Sequence, residues 1–88
     1  MKLVFADRAW EDYLYWVETD RQTLDRINLL IRDCMRDPFR GLGKPEPLRA
    51  ALQGWWSRRI NTSDRLVYRV SGRGPDQALE IAQCRLHY

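Results

Sequence analysis

The hydrophobic pattern of this chain changes its period once, and no other feature of the sequence constrains the fold as strongly. Between residues 7 and 36, apolar residues recur at the spacing of amphipathic helices, whereas from Trp56 onward they alternate with polar residues as in strands. Between the two regions, Pro45 and Pro47 flank Glu46 and restrict it to an extended backbone. The pattern therefore predicts an α+β protein in which two helices precede most of the strands.

Two helices are predicted in the first half of the chain. Asp7 is expected to cap the first helix, and an apolar stripe at i, i+3, i+4, i+7 is interpreted as core: Trp10, Tyr13, Leu14 and Val17. Thr19, at capping-box spacing from Gln22, is expected to open the second helix, which Pro38 ends. The predicted buried face of the second helix is Leu24, Ile27, Ile31, Cys34 and Met35, with Leu30 beside it.

Strands are predicted over residues 2–5, 56–60, 65–70 and 78–86. Turn-forming residues at 61–64 and 71–76 connect the last three strands as hairpins, and residues 48–52 are assigned to a short strand or a turn. The predicted order, β-α-α-β-β-β within a single domain of residues 1–88, places both helices on one face of an antiparallel sheet. The other face of the sheet is expected to carry the arginines.

Alternation within the strands assigns side chains to these two faces. One face is predicted to hold Trp56, Arg58, Ile60, Leu66, Tyr68 and Val70. The opposite face is predicted to hold Ser57, Arg59, Arg65, Val67 and Arg69, and Gln83, Arg85 and His87 share one parity in the last strand.

Charge is distributed unevenly along the 88 residues, whose net charge is +3. Residues 1–40 carry seven basic and eight acidic side chains, a balance of −1, whereas residues 41–88 carry eight basic and four acidic ones, a balance of +4. Thirteen of the fifteen basic residues are arginine, whose planar fork suits phosphate oxygens. The second half is therefore a candidate surface for a polyanion, although a merely soluble basic face fits the charge equally well.

Several classes of protein are excluded by what the sequence lacks. No apolar run approaches the ~18 residues of a membrane span, and the start of the chain does not match a signal peptide, so a cytoplasmic protein is expected. Cys34 and Cys84 match no metal or redox spacing and are expected to be reduced and buried. A single histidine cannot supply a metal cluster, and a Ser57-His87-Asp64 triad would lack a nucleophile-elbow motif.

The remaining residues fit RNA cleavage by general acid–base catalysis. Glu46 could take the proton of a 2′-hydroxyl, Arg59 and Arg65 could stabilise the charged phosphorane, and His87 could protonate the leaving 5′-oxygen. The same residues also fit a protein without catalysis, in which Glu46 is a solvated loop carboxylate, the arginines pair with acidic residues of the helices, and His87 belongs to a frayed terminus. The residues alone leave both interpretations open.

Several sequence blocks in combination resemble one known family. They are the opening MKLVFADRAWEDYLYWVETD, the central PFRGLGKPEPLRAALQGWWSRRI and RLVYRV, and the terminal CRLHY. These blocks resemble the YoeB toxins, the Txe/YoeB group of the RelE superfamily, almost from end to end. The resemblance implies a RelE-like fold and a toxin of a type II toxin–antitoxin system that cleaves messenger RNA in the ribosomal A site.

The resemblance also implies partners and residue roles. Partners would be a YefM-like antitoxin, the ribosome with its mRNA, and a second copy of the chain in a homodimer, with no cofactor or metal. By resemblance, Glu46 is the general base, Arg65 stabilises the phosphate, His87 is the general acid, and Tyr88 helps to position the substrate. Auxiliary contacts to RNA or phosphate are expected from Lys44, Arg49, Arg59 and Arg69. The alternative is a non-catalytic ribosome or RNA binder, or a ParE-like toxin that targets a protein.

Overall fold

The order of strands in the sheet is β1-β5-β4-β3-β2. A computed structural model describes residues 1–87, so the predicted site residue Tyr88 lies outside the described residues. The elements are β1 (Lys2–Phe5), α1 (Asp7–Thr19), α2 (Arg21–Arg36), β2 (Glu46–Pro47), β3 (Trp56–Arg59), β4 (Arg65–Ser71) and β5 (Ala78–Gln83), with short 3-10 turns at Ala50–Leu52 and Gly74–Asp76. Within residues 1–87, no helix is both long and apolar enough to cross a membrane.

The predicted α+β class, with two helices packed on the sheet, is confirmed, but the sheet is mixed. The hairpin-linked strands β3, β4 and β5 are antiparallel as expected, whereas β1 runs parallel to β5, with Leu3 opposite Leu79. A tight hairpin forces antiparallel pairing, but β1 is followed by two helices, which leave its direction free. The structure also adds β2, which is too short to show any alternation in the sequence.

Most of the core comes from α2 and the sheet face beneath it. The predicted face of α2 is confirmed, since Leu24, Ile27, Leu30, Ile31 and Cys34 are buried and Met35 packs against them. Leu66, Tyr68, Leu79 and Ile81 complete the core from β4 and β5. Both cysteines are free and buried, and burial raises the pKa of Cys34 to about 11 and that of Cys84 to about 12.

The predicted buried stripe of α1 is wrong for three of its four residues, whereas Tyr13 packs against the core, partly buried. Trp10, Leu14 and Val17 are 48%, 36% and 50% exposed, and the buried residues of α1 are instead Ala9, Asp12 and Trp16. Polar contacts decide this orientation. The Asp12 carboxylate accepts from the Cys84 amide, and the Trp16 indole donates to the Cys84 carbonyl at 2.8 Å. A buried amide and carbonyl at the end of β5 need partners, which α1 supplies by turning this face inward.

The helix caps also differ from the prediction. Ala6 occupies the N-cap of α1 without a side-chain bond, and Asp7 lies in the first turn. In α2 the cap is Asp20, which accepts from the Thr23 amide at 3.1 Å and from the Thr23 hydroxyl at 2.7 Å. The Thr23 hydroxyl and amide lower the pKa of Asp20. Thr19 instead donates to the Tyr15 carbonyl in the last turn of α1.

Candidate functional site

We call the sheet face opposite the helices the open face. One row of paired residues crosses four strands on this face. Glu46 is opposite Ser57, Ser57 opposite Val67, and Val67 opposite Gln83. Directly paired residues project to the same side of a sheet, so Glu46 and Gln83 mark the two ends of this row. With strands about 4.8 Å apart, the row is about 14 Å long. It brings the proposed base onto the same surface as the strand that leads to His87.

Backbone contacts to β3 fix the segment that carries Glu46. The Arg59 amide donates to the Gly43 carbonyl at 2.6 Å, and the Leu48 amide donates to the Trp55 carbonyl at 2.9 Å. Gly43 has φ +80°, and a Cβ there would lie 3.0 Å from the Arg59 carbonyl oxygen, so only glycine fits. Glu46 itself is exposed to solvent. The proline-flanked segment thus forms a short edge strand instead of a loop.

Arg58 departs from the expectation that the arginines line the open face. It lies on the helix side, fully buried, as its alternation with Trp56 requires. Its guanidinium donates to Asp33 at 2.6 Å and to the Tyr68 hydroxyl at 3.1 Å. It also donates to three backbone carbonyls, those of Asp37, Arg40 and Leu42. Arg58 therefore holds together the connection between α2 and β2, and it is not available to a substrate.

Asp33 completes this buried cluster. Besides Arg58, its carboxylate accepts from Arg36 at 2.8 Å and from the Leu42 amide at 2.9 Å. These bonds, led by that of Arg36 and followed by those of Leu42 and Arg58, hold the pKa of Asp33 well below its usual value of 3.8. Tyr68 donates to the Pro38 carbonyl at 2.6 Å, and burial raises the pKa of its hydroxyl. The connection from α2 toward Glu46 is thus fixed by charged hydrogen bonds.

Arg65 lies at the edge of the open face, directly opposite Arg59. Two like charges in paired positions repel each other, and within residues 1–87 no carboxylate lies within ion-pair distance of either guanidinium. Arg65 is instead held by carbonyls, donating to Asn61 at 2.8 Å and to Asp64 at 3.0 Å. An anion between the two guanidinium groups would relieve their repulsion, which makes this pair a candidate phosphate site.

The C-terminal segment, residues 84–87, leaves the sheet and lies beside Arg65. β5 ends at Gln83 and not at residue 86 as predicted. The Arg65 amide donates to the Leu86 carbonyl at 3.1 Å, and the Leu86 amide donates to Asp64 at 2.6 Å. The Gln83 side-chain amide donates to the His87 backbone carbonyl at 3.3 Å. These backbone contacts place His87 next to Arg65.

Helix α1 holds the start of the same segment. Asp12 and Trp16 bind the two backbone groups of Cys84, and Arg8 donates to the Arg85 carbonyl at 3.4 Å. The Arg85 guanidinium lies 3.6 Å from the centre of the Tyr15 ring. Arg85 is thus directed to α1 and away from the open face. The prediction that Gln83, Arg85 and His87 share one side assumed a strand that continues to residue 86. The chain reverses locally at Leu86, which has φ +67°.

The other proposed RNA-binding residues are placed differently from one another. Arg69 stacks 4.4 Å from the Trp55 ring centre and pairs with Glu80 at 3.2 Å, so its charge is already partly compensated. Ser71 and then Arg69 lower the pKa of Glu80 by hydrogen bonding to it. Lys44, with φ +53°, and Arg49 are exposed on either side of β2. Of the auxiliary residues, Arg59 alone stands directly opposite Arg65.

Sequence reasoning missed the residues that support the site. Asp64, Gln83, Asp12 and Trp16 hold the C-terminal segment, and Arg58 holds the connection before Glu46. The turn cluster at residues 61–64 is a visible signal for Asp64, whose amide donates to the Asn61 side chain at 2.8 Å. Of the residues in the Ser57-His87-Asp64 combination, Asp64 uses its carboxylate to accept from the amide of Leu86, the neighbour of His87.

Chemically, the open face combines a solvated carboxylate, two arginines at paired strand positions and a segment that carries an imidazole. Such groups can remove a proton, stabilise a developing negative charge and return a proton. In the part of the chain that the structure describes, no three His, Cys, Asp or Glu side chains are grouped so that they could hold a metal ion.

Comparisons with known proteins agree with this architecture. A family model described as "YoeB-like toxin of bacterial type II toxin-antitoxin system" matches residues 5–88. Toxin YoeB of Escherichia coli (strain K12) is 53% identical over 88 residues, which is the full length of both chains. A solved "YoeB/ParE toxin from Agrobacterium tumefaciens" has a TM-score of 0.96 at 55% identity and covers all of both chains.

Two solved Staphylococcus aureus structures extend the comparison to assemblies. One is a YoeB dimer and the other a heterotetrameric YoeB-YefM toxin–antitoxin complex, with TM-scores of 0.88 and 0.87. Both are 39% identical to this chain, covering all of it and 98% of theirs.

Proposed function

The chain belongs to the YoeB-like toxins of bacterial type II toxin–antitoxin systems, and we propose that it is a ribosome-dependent endoribonuclease that cleaves messenger RNA in the A site. The observation that carries this proposal is that a carboxylate, an arginine and the segment with the imidazole lie on the same face of the sheet. Glu46 and the strand leading to His87 share one row, and Arg65 binds the backbone next to His87. A protein that only bound RNA would need the cations but not the carboxylate or the imidazole.

The proposed reaction is attack of a 2′-hydroxyl on the adjacent phosphate without a metal. Glu46 takes the hydroxyl proton as general base, which makes the oxygen nucleophilic. Arg65, with Arg59 opposite it, stabilises the negative charge of the phosphorane. His87 donates a proton to the leaving 5′-oxygen, and Tyr88 helps to position the substrate. Lys44, Arg49 and Arg69 are proposed to contact the flanking RNA.

A cleavage assay on programmed ribosomes tests this function. Primer extension should show cuts in the A-site codon with the wild-type chain and a severe loss with Glu46→Gln, which keeps the shape but removes the base. Glu18→Gln, at an exposed position on α1, is the matched control and should cleave normally. Intact messenger after addition of folded wild-type protein would contradict the proposal. Growth arrest with intact messenger would instead favour a non-catalytic or ParE-like toxin.

We further propose that a YefM-like antitoxin neutralises this chain and that the site of action is the cytoplasm, where the ribosomes are. The solved S. aureus relative forms a complex with YefM, and an acidic segment would complement the basic second half of this chain. An antitoxin segment over the open face would cover Glu46 and displace or bury the C-terminal segment. Pull-down of the neighbouring gene's product by the wild-type chain is the direct measurement.

A homodimer is proposed as well, with the exposed face of α1 as the contact. Trp10, Leu14 and Val17 form an apolar stripe on α1, and Trp10 stacks on Tyr13 at 5.7 Å between ring centres. A second copy of the chain is the proposed occupant because a solved relative is a dimer. Sedimentation of the wild-type chain should give the dimer mass, and Trp10→Glu should shift it toward the monomer.

A further inference from the structure

We propose that Asp64 is a positioning residue that holds the segment bearing His87 beside Arg65, an inference that rests on the catalytic roles proposed above. Asp64 lies at the end of the turn between β3 and β4, 7% exposed. Its carboxylate accepts from the Leu86 amide at 2.6 Å. It does not contact substrate in this proposal and acts through the backbone next to the imidazole.

Asp64 binds the two halves of the proposed site with different atoms. Its carboxylate holds Leu86, while its carbonyl oxygen accepts from the Arg65 guanidinium at 3.0 Å. The Leu86 carbonyl in turn accepts from the Arg65 amide at 3.1 Å. Residues 64, 65 and 86 therefore form one hydrogen-bonded unit, so a shift of Asp64 would change the distance between the proposed acid and the proposed phosphate ligand.

The turn that presents Asp64 is itself rigid. The Asn61 side chain accepts from the amides of Ser63 and Asp64, each at 2.8 Å. The Asp64 carbonyl also accepts from the Ile60 amide at 3.1 Å, which closes the turn onto β3. Side-chain oxygens that bind the backbone two or three residues ahead are typical of stable turns. Asp64 is thus a fixed support and not a surface residue that happens to touch the terminus.

Leu86 needs such a support because its backbone is in the left-handed region, with φ +67°. A residue with a branched carbon side chain adopts this conformation at a cost in free energy, and it persists only when neighbouring contacts over-determine it. The Asp64 carboxylate binds the Leu86 amide, and the Arg65 amide binds the Leu86 carbonyl. The Gln83 side chain binds the next carbonyl, that of His87. Without the carboxylate, we expect Leu86 to relax toward an extended backbone, which would turn His87 away.

The test compares Asp64→Ala with Asp64→Asn. Alanine removes the acceptor, whereas asparagine keeps an oxygen at the same distance, so Asn should rescue what Ala loses if the hydrogen bond is the function. Single-turnover cleavage on programmed ribosomes should fall about ten- to a hundredfold for Asp64→Ala, as expected for a misplaced catalytic group. Affinity for the ribosome should change less than about twofold. Asp76→Ala, an exposed carboxylate in the β4–β5 loop, is the control and should behave as wild type.

A second measurement does not depend on activity. Amide hydrogen exchange at Leu86 should accelerate in free Asp64→Ala and remain slow in Asp64→Asn and Asp76→Ala. If Asp64→Ala did not fold, Asp64→Ser would serve, because serine suits a turn but its shorter side chain does not reach the Leu86 amide. Wild-type cleavage by a folded variant with fast Leu86 exchange would overturn this inference alone. A wild-type chain that does not cleave would overturn the proposed function, and this inference with it.

Discussion

Four arginines of the central strands have different partners, and the partners determine what each guanidinium can do. Arg58 is buried against Asp33 and three carbonyls, so it stabilises the fold. Arg69 is paired with Glu80 and stacked on Trp55. Arg59 and Arg65 stand opposite each other within the described residues without a carboxylate partner, which leaves their charge for a ligand. Residue type alone does not separate these roles.

Replacement of Arg65 by alanine should slow cleavage by at least about a hundredfold, comparable to the loss of an oxyanion-hole donor. Thermal stability should change little, because the guanidinium is partly exposed and, within residues 1–87, binds carbonyls of a nearby turn. Arg73→Ala, in the exposed β4–β5 loop, is the control for loss of one positive charge. Normal single-turnover rates in folded Arg65→Ala would remove Arg65 from the site.

Replacement of Arg58 by alanine should lower the free energy of unfolding by about 3–5 kcal/mol, because it removes the buried partner of Asp33 and leaves three carbonyls without their donor. Urea denaturation followed by circular dichroism measures this change. Arg36 pairs with the same carboxylate from an exposed position, so Arg36→Ala should cost much less. If Arg58→Ala and Arg36→Ala lowered the free energy of unfolding equally, the structural role assigned to Arg58 would be wrong.

At the scale of elements, the connection between α2 and β2 should be sensitive to acid through Asp33. Its hydrogen bonds, first that of Arg36, place its folded pKa below the unfolded value of 3.8. The carboxylate therefore contributes its full stability above about pH 4 and loses it progressively below, where the unfolded chain takes up the proton first. Asp33→Asn should be less stable than wild type at pH 7, and the difference should narrow below pH 4. If the stability difference between wild type and Asp33→Asn stayed constant from pH 7 to below pH 4, the lowered pKa assigned to Asp33 would be wrong.

The C-terminal segment is an element fixed by its neighbours more than by its own sequence. A chain that ends at Leu86 should lose about 10²–10⁴-fold in cleavage, because the proposed general acid is gone. It should keep its melting temperature, since the contacts of Cys84 and Leu86 to α1 and to Asp64 remain. Circular dichroism confirms folding. Wild-type rates from this folded, truncated chain would refute His87 as the acid.

At the scale of the whole molecule, charge separates the two halves of the chain. The helices belong to a half with a balance of −1, and the open face belongs to a half with a balance of +4. Binding of an acidic antitoxin segment should therefore weaken steeply as salt rises, because exposed charges are screened within about 10 Å at 0.1 M salt. Titration calorimetry at several salt concentrations measures this dependence. Tight binding that is indifferent to salt would show that apolar contacts dominate instead.

The sequence by itself determined the fold class, the buried face of α2 and the alternation of β3 and β4, because each depends on a local period imposed by backbone geometry. It also indicated the family and the proposed Glu46, Arg65 and His87. The tertiary structure alone decided the parallel pairing of β1, the exposed stripe of α1 and the partners of the buried Arg58. Each of these depends on partners distant in sequence, such as Cys84 for α1 and Asp33 for Arg58. A local pattern reports which side chains are apolar, but only the assembled chain shows which backbone groups and charges remain to be paired.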